Sequence, residues 1–133
     1  QNFDLVRDHG SKLDQCLSAL VNDLDERGML DDVAIAVWGE FGRTPKINAK
    51  AGRDHWNKVS CAWLAGGGMK GGQAIGATNR MGEEPVERPV DMQEIVATLY
   101  HCLGIDTQTV TMNDPTGRPQ FLVEKSPIAE LVG

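Results

Sequence analysis

The sequence predicts an α/β fold, with helices laid on a short apolar sheet, and three observations carry that prediction. Two segments, at residues 11–28 and 91–104, show the three- and four-residue apolar spacing of amphipathic helices. Two others, "VAIAVW" and "SCAWLA", are short apolar runs without polar alternation, the pattern of strands covered on both faces. A helix leads directly into the first of these strands, which is the order an α/β layer requires.

The first helix is predicted from Ser11, where Asp14 three residues on completes a start signal. Leu13, Cys16, Leu17, Leu20, Val21 and Leu24 then line one face, and Gly28 ends the helix. Asp23, Asp25, Glu26 and Arg27 form a solvated face near that end, and "GMLDD" turns the chain into the first strand. The runs at residues 33–38 and 61–65 are predicted to be neighbouring buried strands, the second stopping at the glycine cluster "GGGMKGG".

Residues 66–89 are rich in glycine and proline and lack a helical period, so they are predicted to be mostly loop, with "QAIGAT" a candidate edge strand. Asp91 with Glu94 three residues on opens the second helix. Its apolar face is Ile95, Val96, Leu99, Cys102 and Leu103, and Gly104 ends it. Beyond Asp106, "NDPTGRP" reads as a turn and "QFLVE" as a candidate last strand. There is no internal repeat.

A length of 133 residues with 41% hydrophobic residues fits a single domain or a fragment of one, residues 1–133. The chain opens on Gln1-Asn2-Phe3, and we expect it to continue a longer polypeptide, with any targeting segment upstream. No apolar stretch approaches the roughly 20 residues that cross a bilayer. The net charge of −6 comes from scattered acids, which speaks for solubility and against nucleic-acid binding. Cys16, Cys61 and Cys102 are far apart in apolar segments, without zinc or redox spacing, and are expected to be buried free thiols.

A phosphate loop needs a lysine followed by Ser or Thr at the start of a helix, whereas Lys70 is followed by Gly71 and Gly72. The glycine cluster is therefore expected to reverse the chain beside a strand. The candidate chemistry lies in "WGEFGRTPKINAKAGRDHW", residues 38–56. Glu40, Phe41, Gly42 and Arg43 follow a strand's carboxyl end, where open α/β sheets bind ligands. Arg43 carries a planar fork of donors suited to phosphate, sulfate or carboxylate, or pairs with Glu40 at a loop edge. Asp54 and His55 read either as a metal-binding pair or as a structural one. His9 lies at the predicted helix start and His101 near a helix C-terminus, where a partial positive charge is favoured.

The motifs "GEFGRTP", "GRDHW", "LAGGGMKGGQAIGAT", "RPV" and "ATLYHCLGID", in this order and spacing, resemble the C-terminal part of the bacterial family catalogued as domain of unknown function 1501. The resemblance covers nearly the whole chain. It implies membership of the alkaline phosphatase and sulfatase superfamily, hence a three-layer α/β/α sandwich with a mainly parallel or mixed sheet flanked by helices. It also implies an exported protein and a phosphate- or sulfate-ester substrate.

Metal-dependent members such as phosphopentomutases end a strand in "DHG" and carry a later "GTDHT". Here Glu40-Phe41-Gly42 and Asp54-His55-Trp56 stand in the similar places. The resemblance thus makes His55 a metal ligand, Glu40 an oxygen ligand and Asp54 the partner that orients the His55 ring. The divalent ion would be zinc, manganese or calcium, and Arg43 would stabilise charge on the ester oxygens. Phe41 stands where a ligating histidine would be and cannot bind metal. The nucleophile and further acidic ligands are expected from the upstream part of the same polypeptide, where the family commonly carries "WDTH". A noncatalytic binding or structural member of the superfamily is the alternative.

Overall fold

The computed structural model describes residues 2–133. The first helix, α1, spans Asn2–Glu26 and so starts well before Ser11. The Ser11 start signal falls inside it. The Ser11 hydroxyl donates back to the Asp8 carbonyl at 3.0 Å, and Asp8 pairs with Lys12 one turn on at 2.7 Å. At the other end Met29 N–H reaches the Leu24 carbonyl at 2.8 Å and Gly28 N–H the Asp25 carbonyl at 2.9 Å, the paired bonds that close a helix on a glycine.

Strand β1, Ala34–Trp38, pairs with β4, Ala62–Gly66, in the register Ala36 to Leu64. The two runs expected to be neighbouring strands are neighbours. They run antiparallel, however, in a sheet of only two strands, which corrects the expected mainly parallel or mixed sheet. A parallel pair needs a crossover, usually helical, between its strands. Residues 39–61 supply instead a short ribbon, β2 (Gly42–Arg43) against β3 (His55–Trp56), and deliver the chain back antiparallel.

Burial also falls short of expectation. Residues 34–37 are half-buried, and Trp38 and Trp63 are 46% and 42% exposed. Along α1 the apolar face exists, but Leu24 is its one buried side chain among the described residues and Leu13 is 50% exposed. Two strands and one packed helix offer too little area to cover these faces. The cysteines follow the same geometry: Cys16 on α1 and Cys61 ahead of β4 are exposed, and Cys102 is half-buried, contrary to the expectation of buried thiols. Burial pushes the Cys102 thiol above its ordinary pKa.

The region from 66 to 89 holds the expected edge strand as β5, Ala77–Thr78, paired with an unforeseen β6, Pro85–Glu87. Helix α2, Met92–Cys102, carries the predicted capping box, with the Asp91 carboxylate accepting from Gln93 N–H and the Glu94 carboxylate from Asp91 N–H. A hairpin of β7, Thr111–Asn113, and β8, Pro119–Phe121, turns at Asp114, whose carboxylate accepts from Thr116 and Arg118 N–H. A short last helix, α3, spans Ala129–Val132.

The core sits where α2 meets the C-terminal segment: Ile95, Ile128 and Leu131 cluster, with Leu64, Met69, Ile75, Val90 and Val132 around them. Thr98 is fully buried there. Its hydroxyl donates to the Glu94 carbonyl at 2.7 Å and accepts from Ile128 N–H at 2.9 Å, tying helix to tail. The glycine cluster does reverse the chain beside β1. Gly67 has φ +61°, and a Cβ there would lie 2.8 Å from the Ala34 Cβ, so only glycine lets the loop close on the strand. At coarse level the chain is α/β, as expected, a mixture of helices and small strands with all of its described strand pairs antiparallel.

Candidate functional site

The β2–β3 ribbon brings Arg43 and His55 directly opposite each other. Residues opposed across an antiparallel pair share a face, and so do residues two apart on one strand. Phe41, just ahead of β2, lies beside them: its ring centroid is 4.1 Å from the His55 ring at 36°, and the Arg43 guanidinium sits 5.6 Å from its centre. The aromatic ring lies near both the cation and the imidazole. Glycine is required beside it, because a Cβ on Gly42 would fall 1.8 Å from the Val59 carbonyl oxygen.

The loop joining the two strands is held by its own polar groups. Asn48 Oδ1 accepts from Lys50 and Gly52 N–H, each at 3.0 Å, while its amide donates to the Asp54 carboxylate at 2.8 Å. Thr44 N–H reaches the Asp54 carbonyl at 3.0 Å, and the Thr44 hydroxyl accepts from Asp54 N–H at 3.1 Å. Arg53 is spent on structure: its guanidinium donates to the Thr44 and Pro45 carbonyls and lies 5.8 Å from the Phe3 ring of α1. A concavity of about 350 Å³ lies in this loop, lined by Thr44, Lys46, Ile47, Asn48, Ala49 and Asp54.

Among the sequence-predicted site residues, Arg43 and His55 are paired in the ribbon's register. Arg43 donates to the Arg53 carbonyl at 3.4 Å and makes no ion pair with Glu40, which is exposed at the end of β1. The carboxylate expected to orient the His55 ring, that of Asp54, accepts instead from Asn48 inside the loop. Among the described residues no three His, Cys, Asp or Glu side chains gather as a metal-holding group. Glu40, Asp54 and His55 therefore do not form a metal shell by themselves. His9 is exposed on α1; His101, also exposed, lines a separate concavity of about 400 Å³ with Gly104, Ile105, Asp106 and Thr107. Lys70 donates its backbone N–H to Leu131 and serves the tail's docking.

Three contributors escape a reading of the sequence. Phe41, in the place of an expected ligand, stacks on the His55 ring. Asn48 organises the loop, a role that asparagine near a glycine can signal. Trp56 donates its indole N–H to the Glu83 carbonyl, 27 residues on, at 2.9 Å, a contact that no local pattern announces.

Residues 1–132 match the family described as protein of unknown function, DUF1501. The chain belongs to the DUF1501 family. No curated protein and no solved structure matches this DUF1501 chain. The five motifs that carried the resemblance lie in the ribbon, in β4 with its glycine turn, in β5, at the start of α2 and along its end.

Proposed function

We propose that this DUF1501 chain supplies the anion-recognising wall of a phosphate- or sulfate-ester hydrolase, with Arg43 and His55 meeting the ester. The observation that carries this reading is their direct opposition on the β2–β3 ribbon, with the Phe41 ring close to both. A guanidinium fork matches the oxygens of a tetrahedral oxyanion, and the imidazole offers a second donor from the facing strand. Fixed donors of this kind stabilise charge that grows on ester oxygens during hydrolysis. The exposed apolar faces of α1 and of the β1–β4 pair support the further reading that the upstream part of the same polypeptide packs here. That part would bring the nucleophile and most of any metal shell. Export and a zinc, manganese or calcium ion belong to the same proposal, both carried by the superfamily resemblance.

A second reading, a noncatalytic member that binds an anion or serves a structural role, is favoured by one observation. The Phe41 ring lies against the imidazole at the place where metal-dependent members carry a histidine.

The test has two arms. Calorimetric titration of phosphate and sulfate into the 133-residue chain should show binding that Arg43→Ala weakens by about 10- to 100-fold, the worth of a charge-assisted hydrogen bond. Aryl phosphate and aryl sulfate should not be turned over by this chain with added zinc, manganese or calcium, because removing one member of a catalytic unit loses most of the rate. Turnover that disappears in His55→Ala would show a complete site in this segment and sink the shared-site reading.

A further inference from the structure

The β2–β3 ribbon has only two paired residues on each strand, and a ribbon that short does not hold its own register in water. Its loop end is secured by the Thr44, Asn48, Asp54 and Arg53 bonds described above. Its open end, after His55, has a different support. The Trp56 indole donates to the Glu83 carbonyl at 2.9 Å, Lys58 pairs with the Glu84 carboxylate, and the Lys58 ammonium lies 5.7 Å from the Trp56 ring.

Both acceptors belong to one turn, residues 79–84, at the tip of the β5–β6 hairpin. That turn is closed by Asn79. Its side-chain oxygen accepts from Glu83 N–H at 2.9 Å, its carbonyl from Gly82 N–H at 2.9 Å, and its own N–H reaches the Glu84 carbonyl at 2.9 Å.

We propose that the 79–84 turn is a buttress that positions His55 opposite Arg43, acting through Trp56 and, more weakly, through Lys58. The inference rests on the reading that the Arg43–His55 face takes an oxyanion, and it names the positioning residues of that face. Trp56 is the main tie because it is half-buried and fixed by a directional bond. The Lys58–Glu84 pair has both side chains about half exposed, and exposed pairs hold geometry poorly. Val59, one residue beyond Lys58, places its carbonyl against Gly42, so movement of the open end is passed to β2.

The measurement is the proton NMR spectrum of the His55 ring in the 133-residue chain, since the Phe41 ring current reports how closely the two rings stack. Phosphate affinity is read by titration in the same samples. Trp56→Phe keeps an aromatic ring and removes the donor; Asn79→Ala opens the turn without touching the ribbon. Each should relax the His55 ring shifts toward those of free histidine and weaken phosphate binding about two- to tenfold, the range for one hydrogen bond. Glu84→Gln should move both readouts less, and 1 M salt should reproduce its effect on the ring shifts in the wild-type chain. If the wild type binds no phosphate yet Trp56→Phe and Asn79→Ala still shift the ring signals, the buttress stands and the anion reading falls. Variants that lower Tm while leaving the ring shifts and phosphate affinity unchanged would overturn the buttress and leave the turn a structural element only.

Discussion

Phe41 shows what a single residue can hide. Its place in the chain, one after Glu40 and two before Arg43, is legible, but its partner across the ribbon is not, because His55 lies beyond a loop with no period of its own. Arg43 was readable as an anion donor from residue type and from its position after an apolar strand. Its freedom from Glu40 was not, since that depends on which way a two-residue strand turns. Gly42 offers the sharpest test at this scale. Gly42→Ala forces a methyl onto the Val59 carbonyl, and overpacking of this kind costs about 1–3 kcal/mol. Chemical denaturation should show a loss in that range, with the His55 ring signals displaced; an unchanged midpoint would mean the ribbon is not packed as described. Thr98 makes the matching point in the core. Thr98→Val keeps the shape but strands the Ile128 N–H, and should cost about 1–3 kcal/mol by the same measurement.

Among the elements, α2 was the most legible, because Asp91 and Glu94 form a start signal that needs no tertiary partner and both of its hydrogen bonds are made. The start of α1 was missed because Ser11 has the right identity and spacing for a cap yet sits inside a helix that other residues begin. Strand direction was missed for a different reason: composition reports cover, not polarity, and only the connection over residues 39–61 decides it. The link from β6 to α2 and α3 depends on Arg88, which has φ +40°. Its guanidinium donates to both Glu130 carboxylate oxygens, at 2.7 and 3.1 Å, and to Glu94 at 3.0 Å. These bonds hold the Glu130 carboxyl down, from 4.5 to about 2. Because the folded-state value lies below the unfolded one, the stabilisation is complete above about pH 4.5 and is lost as pH falls toward 2. Thermal melts across that window should show a decline in Tm that Arg88→Met flattens. An equal acid slope in wild type and variant would assign the decline to other carboxylates.

For the molecule as a whole, surface is the informative quantity. The chain exposes 9752 Å², where a compact chain of its mass exposes about 6,900 Å². Much of the excess is apolar: Phe3, Val6, Leu13 and Leu20 along α1, and Trp38 and Trp63 on the β1–β4 pair. The sequence foretold the helix face from Leu13 onward and the two strands, but not the Phe3 and Val6 part of α1, nor that these faces would stand uncovered, since a pattern of burial does not say what does the burying. Strong binding of an apolar dye follows, and Leu13→Lys should reduce it while changing stability by no more than about 0.5 kcal/mol. Unchanged dye fluorescence would place the accessible apolar surface elsewhere. The central claim is that Arg43 and His55 act together on one oxyanion. It is tested most directly by titrating phosphate into isotope-labelled chain and following the Arg43 Nε–H and His55 ring resonances. The account predicts that both move along one saturating curve with a single Kd, and that Arg43→Ala removes the response at His55. Independent curves, or shifts confined to Lys46 and the 44–54 loop, would contradict it.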